Sequence, residues 1–171
     1  IIGLHLWQPA LQPAKTRGIH PSFRFFLRLA YGWLLVSALL GFWSTLAPNL
    51  SGIGGASRHA FTVGFIAGMI LTIGPRILPA FSGMRVLFSA RLMFAALALL
   101  SIGCTLRVAG EILAYSGWLP VAWRWLPISA GLEVAALTAF AYNLARTLTQ
   151  PPAHQMQRRG TQATGDLRIV V

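Results

Sequence analysis

Four long apolar runs separated by short breaks set the pattern of this chain. The first covers about residues 23–46, the second about 58–79, the third about 88–114 and the fourth about 121–148. About 20 consecutive apolar residues span a bilayer as an α-helix, and each run reaches that length. The pattern predicts an all-α, polytopic membrane protein with about four transmembrane helices in a bundle.

The breaks have the composition of turns. Ala47 to Ser57 is rich in Gly, Ser, Pro and Asn, residues that punctuate helices. Pro9, Pro13, Gly18 and Pro21 make residues 1–21 a linker. Residues 22–148 form the membrane domain, and residues 149–171 form a basic tail without periodicity. The stretch Ile1 to His20 is not a signal peptide, because Gln8, Pro9, Gln12, Pro13 and Lys15 stand where an apolar core belongs.

Composition agrees with a bilayer. Of 171 residues, 56% are hydrophobic and 10% charged, with a mean hydropathy of +0.65. Soluble domains carry about 25% charged residues. Fourteen Lys and Arg stand against three acids. The arginines sit singly at the edges of apolar runs and in the tail. That placement fits headgroup contact and membrane orientation, and argues against nucleic acid as a partner.

Positive charge sets the orientation. Lys15, Arg17, Arg24 and Arg28 precede or open the first span, and Arg76, Arg85 and Arg91 flank the second break. Arg146, Arg158, Arg159 and Arg168 follow the fourth span. Four spans bring these groups to one side, the cytoplasm, with both termini there. Trp43, Trp118, Trp123 and Trp125 gather at the opposite face as an aromatic belt.

Candidate chemistry rests on the polar residues inside the spans, where charge is costly unless paired or able to reach an interface. Arg58, His59, Arg107, Glu111 and Arg124 are expected near the outer face, and Arg76 near the inner headgroups. Glu133 is expected deeper, about 15 Å into the fourth span. Arg107 and Glu111, four apart, can pair on one helix. One reading makes His59 a ligand to haem b or copper, with Arg58, Arg107 and Arg124 holding carboxylates such as haem propionates. The other makes the arginines interface markers and Arg107–Glu111 a structural pair. Glu133 is either a proton relay, a counter-charge for a cation, or a protonated packing residue.

In the second span, steps of 100° put His59, Thr62, Met69, Ile73 and Arg76 on roughly one face. Gly64 and Gly68 form a G-x-x-x-G pair suited to close helix packing. Met69 and Cys104 are expected to pack in the core, and Pro75 to kink the helix end. His5, His20 and His154 lie in the flanking segments, so none easily joins His59 as a second haem ligand. There is no nucleotide-binding loop, and three acids are too few for a carboxylate-rich metal site.

Certain segments carry a family resemblance. They are Pro13-Ala14-Lys15-Thr16-Arg17-Gly18, Arg28-Leu29-Ala30-Tyr31 with Trp33, and Arg58-His59-Ala60-Phe61-Thr62-Val63-Gly64 with Met69. Arg76 with Leu78-Pro79 and Leu106-Arg107 with Gly110-Glu111 complete the set. With these residues the chain, over roughly 13–145, resembles the C-terminal part of NnrS-type membrane proteins. The resemblance implies a bacterial inner-membrane protein linked to haem, copper and the nitric-oxide response. Proteins of that family have about twelve spans. The partners it implies are the bilayer, other membrane subunits, or an upstream part of the same protein. Two further readings stand beside it: an accessory structural subunit of a respiratory or photosynthetic membrane complex, and a small transporter subunit coupled through Glu133. Enzymatic activity is not predicted.

Overall fold

The structure is a computed structural model, and it describes residues 23–81 and 87–150. The predicted linker at residues 1–21, the tail from residue 151, and Lys15, Arg17, Arg85, Arg158, Arg159, Arg168, His5, His20 and His154 lie outside the described residues. Among the described residues every regular element is helical.

Helix α1 is Phe23–Leu46. The second span comprises α2 (Ile53–His59), a π-helical segment (Ala60–Ala67) and α3 (Gly68–Phe81). Helix α4 is Ala90–Tyr115. A 3-10 turn, Pro120–Arg124, leads into α5, Trp125–Thr149. Four of the resulting helices are long and apolar enough to cross a membrane. In three of them only 17% of the most apolar window is buried inside the molecule. Phe42, Leu46, Ile70, Trp118 and Val134 are among many large apolar side chains left outward. In water that surface would be a severe liability, whereas in lipid it is the expected exterior.

Two boundaries differ from the expectation. The second span begins at Ile53, five residues before Arg58. Gly54 and Gly55 lower local helix propensity, yet Ile53 and Ala56 are 7% and 0% exposed, so packing outweighs propensity. Gly52 starts the turn with φ +92°, a conformation that favours glycine. At its other end, helix α3 runs on through Pro75 to Phe81, two residues past the expected end at about 79.

The core has two parts. Phe26, Leu71, Met93, Leu97, Leu100 and Ala136 draw all four spans together. Ala56, Ala60, Cys104 and Val108, with Trp33 and Val36 against them, join α1, α2 and α4. Polar clasps fix the register. Ser37 Oγ donates to Ser57 O and Ser57 Oγ donates to Ser37 O, both at 2.9 Å, tying α1 to α2. At the opposite end, Asn143 of α5 holds the start of α4. Its Nδ2 donates to Ser89 O at 2.8 Å, and its Oδ1 accepts from Ser89 N at 3.0 Å. Thr147 Oγ1 accepts from Phe88 N at 3.0 Å. Ser89 Oγ then caps the helix by accepting from Leu92 N.

Candidate functional site

The candidate site forms where α2, α4 and α5 meet. His59 is the last residue of α2. Because the span begins at Ile53, His59 lies six residues inside it, about 9 Å along the axis at 1.5 Å per residue. Glu133 lies eight residues beyond Trp125, about 12 Å into α5. The two residues expected at different depths therefore meet: His59 Nε2 and Glu133 Oε1 are 2.9 Å apart. Their side chains are 21% and 14% exposed.

Glu133 reaches this position over a bare backbone. A Cβ on Gly103 of α4 would stand 2.9 Å from Glu133 Cγ and 3.1 Å from Ser129 O. The second carboxylate is seated in the same way. Arg107 Nε donates to Glu111 Oε1 at 2.9 Å, the predicted pair four apart on one helix. Glu111 Oε2 packs toward Gly55, whose added Cβ would be 2.9 Å away, and it is buried without a hydrogen-bond partner. Gly103, Arg107 and Glu111 follow at intervals of four, on one face of α4. One helix face thus carries the seat for Glu133 and the Arg107–Glu111 pair.

With both carboxylates ionised and the imidazole neutral, the four side chains carry one net negative charge. A single proton brings the set to neutrality. The arrangement can accept, hold and pass on a proton between an imidazole and a carboxylate inside a span.

The other predicted residues fall elsewhere. Arg58 and Arg124 are exposed, and Arg107 is engaged by Glu111, so no pair of these arginines is joined through a shared carboxylate. Arg76 lies seventeen residues beyond His59 in the same span, with its Cζ 3.9 Å from the centre of the Phe23 ring and its Nε buried without a hydrogen bond. Gly64 and Gly68 do pack closely, against Trp33 and Ala30 of α1. Cys104 is fully buried, as expected of a packing residue. The single face predicted by 100° steps is not kept, because the π segment between His59 and Gly68 advances in wider turns. Thr62, in that segment, is exposed and donates back to Arg58 O.

Among the described residues no group of three or more His, Cys, Asp and Glu comes together to hold a metal. His59 offers one imidazole, and its Nε2 is already bonded to Glu133. The residues that sequence reasoning missed are Gly55, Gly103 and Trp33, whose role is the space they leave or fill. The signal for the pair itself was present: two lone titratable side chains in separate spans each required a partner.

The family model for the domain of unknown function DUF8744 matches residues 10–149, and the chain belongs to that family. No curated protein matches the chain. No solved structure matches it either.

Proposed function

We propose that this member of the DUF8744 family is a multi-pass membrane subunit that binds and exchanges a proton at the His59–Glu133 pair. The observation that carries the reading is the 2.9 Å contact between an imidazole and a carboxylate on two different spans. An ionisable side chain within a span is by default a candidate functional residue, because an unpaired charge there is expensive. The wide apolar exterior suits lipid and neighbouring membrane subunits as partners. On this reading the protein sits in the bacterial inner membrane, with both termini cytoplasmic by the placement of its arginines.

Infrared difference spectroscopy of the protein in lipid, stepped between about pH 5 and pH 8, tests this. A carboxyl band that disappears in Glu133→Gln and shifts in His59→Ala is the expected result. A spectrum without any imidazole or carboxyl change assignable to these two residues ends the proton reading.

One further observation favours a second reading. A metal-bound histidine commonly has its other ring nitrogen held by a carboxylate, and Glu133 holds His59 in that fashion. The resemblance to NnrS-type proteins points the same way, toward haem or copper in the nitric-oxide response. The described residues do not complete such a site alone. His59 would supply one nitrogen, and the remaining ligands would come from another subunit or another segment of the protein. A reduced-minus-oxidised visible spectrum of the purified protein beside His59→Ala separates the readings. A haem band that depends on His59 supports the cofactor, and a featureless spectrum with no metal by elemental analysis removes it.

A further inference from the structure

The residue after His59 opens eight residues of π-helix, Ala60–Ala67. A π-helix bonds residue i to i+5, is rare, and usually occurs as a single turn. The sequence Ala-Phe-Thr-Val-Gly-Phe-Ile-Ala contains no proline and nothing else that demands a wide turn. Something outside the segment has to hold it.

Trp33 of α1 is in the right place. A Cβ on Gly64 would lie 2.5 Å from Trp33 Cγ and 2.8 Å from both Cβ and Cδ2. The indole therefore rests against the bare backbone at the middle of the π segment. Beside it is a small cavity of about 10 Å³, lined among others by Trp33, Gly64, Gly68 and Cys104. That is roughly the room one water needs, so the indole nearly fills the space between α1, the π segment and α4.

The two ends of the span are anchored separately. Above the π segment, Ile53 and Ala56 are buried against neighbours, as is Ala60 at the segment's first position. Below it, Leu71 belongs to the four-span core. An extra residue per turn between two fixed ends rotates one relative to the other. His59 lies at the upper junction, so its direction depends on how that turn is wound.

We propose that Trp33, wedged at Gly64, is a positioning residue for the His59–Glu133 pair. It holds the π segment open, and the π segment turns His59 onto Glu133. This rests on the pair being the working centre of the protein.

Nitrogen-15 spectra of the histidine side chains, recorded on the full-length protein in lipid, test the proposal. The variants are Trp33→Ala, Trp33→Phe, Gly64→Ala and, as the reference for a broken pair, Glu133→Gln. In Trp33→Ala and Gly64→Ala the His59 signals are expected to move to the positions seen in Glu133→Gln while helix content by circular dichroism stays unchanged. Trp33→Phe, which keeps a smaller ring against Gly64, should move the His59 signals part of the way. This milder variant keeps the test open should Trp33→Ala not fold, since partial loss of the ring should give a partial shift. Wild-type His59 signals in every folded Trp33 and Gly64 variant overturn the proposal. If the wild-type signals already coincide with those of Glu133→Gln, the pair itself is absent, which is a separate failure of the reading above.

Discussion

Gly103 of α4 lies directly against Glu133 of α5, so close that a Cβ on the glycine would come within 2.9 Å of Glu133 Cγ. The carboxylate that meets His59 is held by the absence of a side chain as much as by the hydrogen bond. Glycine is common in membrane helices because it lets neighbours approach. Here the space it leaves is occupied by the side chain of a titratable residue.

Gly103→Ala is therefore expected to cost about 1–3 kcal/mol, the range for overpacking a tight contact. Part of the loss should come from Glu133 being pushed off His59. Unfolding in mixed detergent measures the first quantity, and the Glu133 carboxyl band measures the second. Gly131→Ala is the control, since nothing lies within 4 Å of a Cβ built there. Equal effects at the two glycines would remove the special status of Gly103.

The His59–Glu133 pair should show coupling in a double-mutant cycle of His59→Ala and Glu133→Gln. Contacting polar residues couple by about 0.5–3 kcal/mol. Interhelical hydrogen bonds in membranes sit toward the low end, averaging about 0.6 kcal/mol. Folding equilibria of the four proteins in one detergent mixture give the coupling. Strict additivity would show that the two side chains do not interact.

Arg107 and Glu111 should behave asymmetrically. Glu111 is 8% exposed and keeps one oxygen without a partner. Arg107→Ala strips the carboxylate of the cation that hydrogen-bonds to it and leaves it buried, a change that costs about 3–5 kcal/mol in the buried limit. Arg107 is itself 31% exposed in its side chain, so the observed loss should fall below that. Glu111→Gln frees an arginine that can reach outward, and it should cost less. Replacing both by Met and Leu should recover most of the stability. Denaturation midpoints that rank the three variants otherwise would contradict this account of the pair.

How much of this was legible in the sequence follows from what each feature depends on. The helices were readable because each apolar run carries its own length signal, and α1 at Phe23–Leu46 is where the run places it. Arg107–Glu111 was readable because four residues along one helix is a local relation. His59 and Glu133 are 74 residues apart, and their meeting depends on where two helices begin. The start of the second span at Ile53 was hidden by Gly54 and Gly55, which look like loop until the packing against Glu111 is seen. The π segment had no local signature, because its cause lies at Trp33 on another helix.

The last prediction concerns the end of the bundle away from His59. Asn143 is 1% exposed and Thr147 0%, and together they accept from or donate to the backbone of Phe88 and Ser89. Those groups precede the first turn of α4, where backbone donors have no partner within the helix. Asn143→Leu would leave Ser89 N–H without its partner, at about 1–3 kcal/mol, while Ser89 C=O keeps the bond from Met93 N at 3.2 Å. Asn143→Asp keeps the acceptor for Ser89 N but loses the donor to Ser89 O and adds a charge, so it should also destabilise. Hydrogen exchange at Phe88 and Ser89 should rise in both variants while the His59 nitrogen signals remain those of the wild type, because the clasp and the pair lie at different levels of α5, ten residues apart. A simultaneous change at His59 would mean that α5 moves as a rigid unit when its clasp opens, and that the two ends of the bundle are mechanically linked.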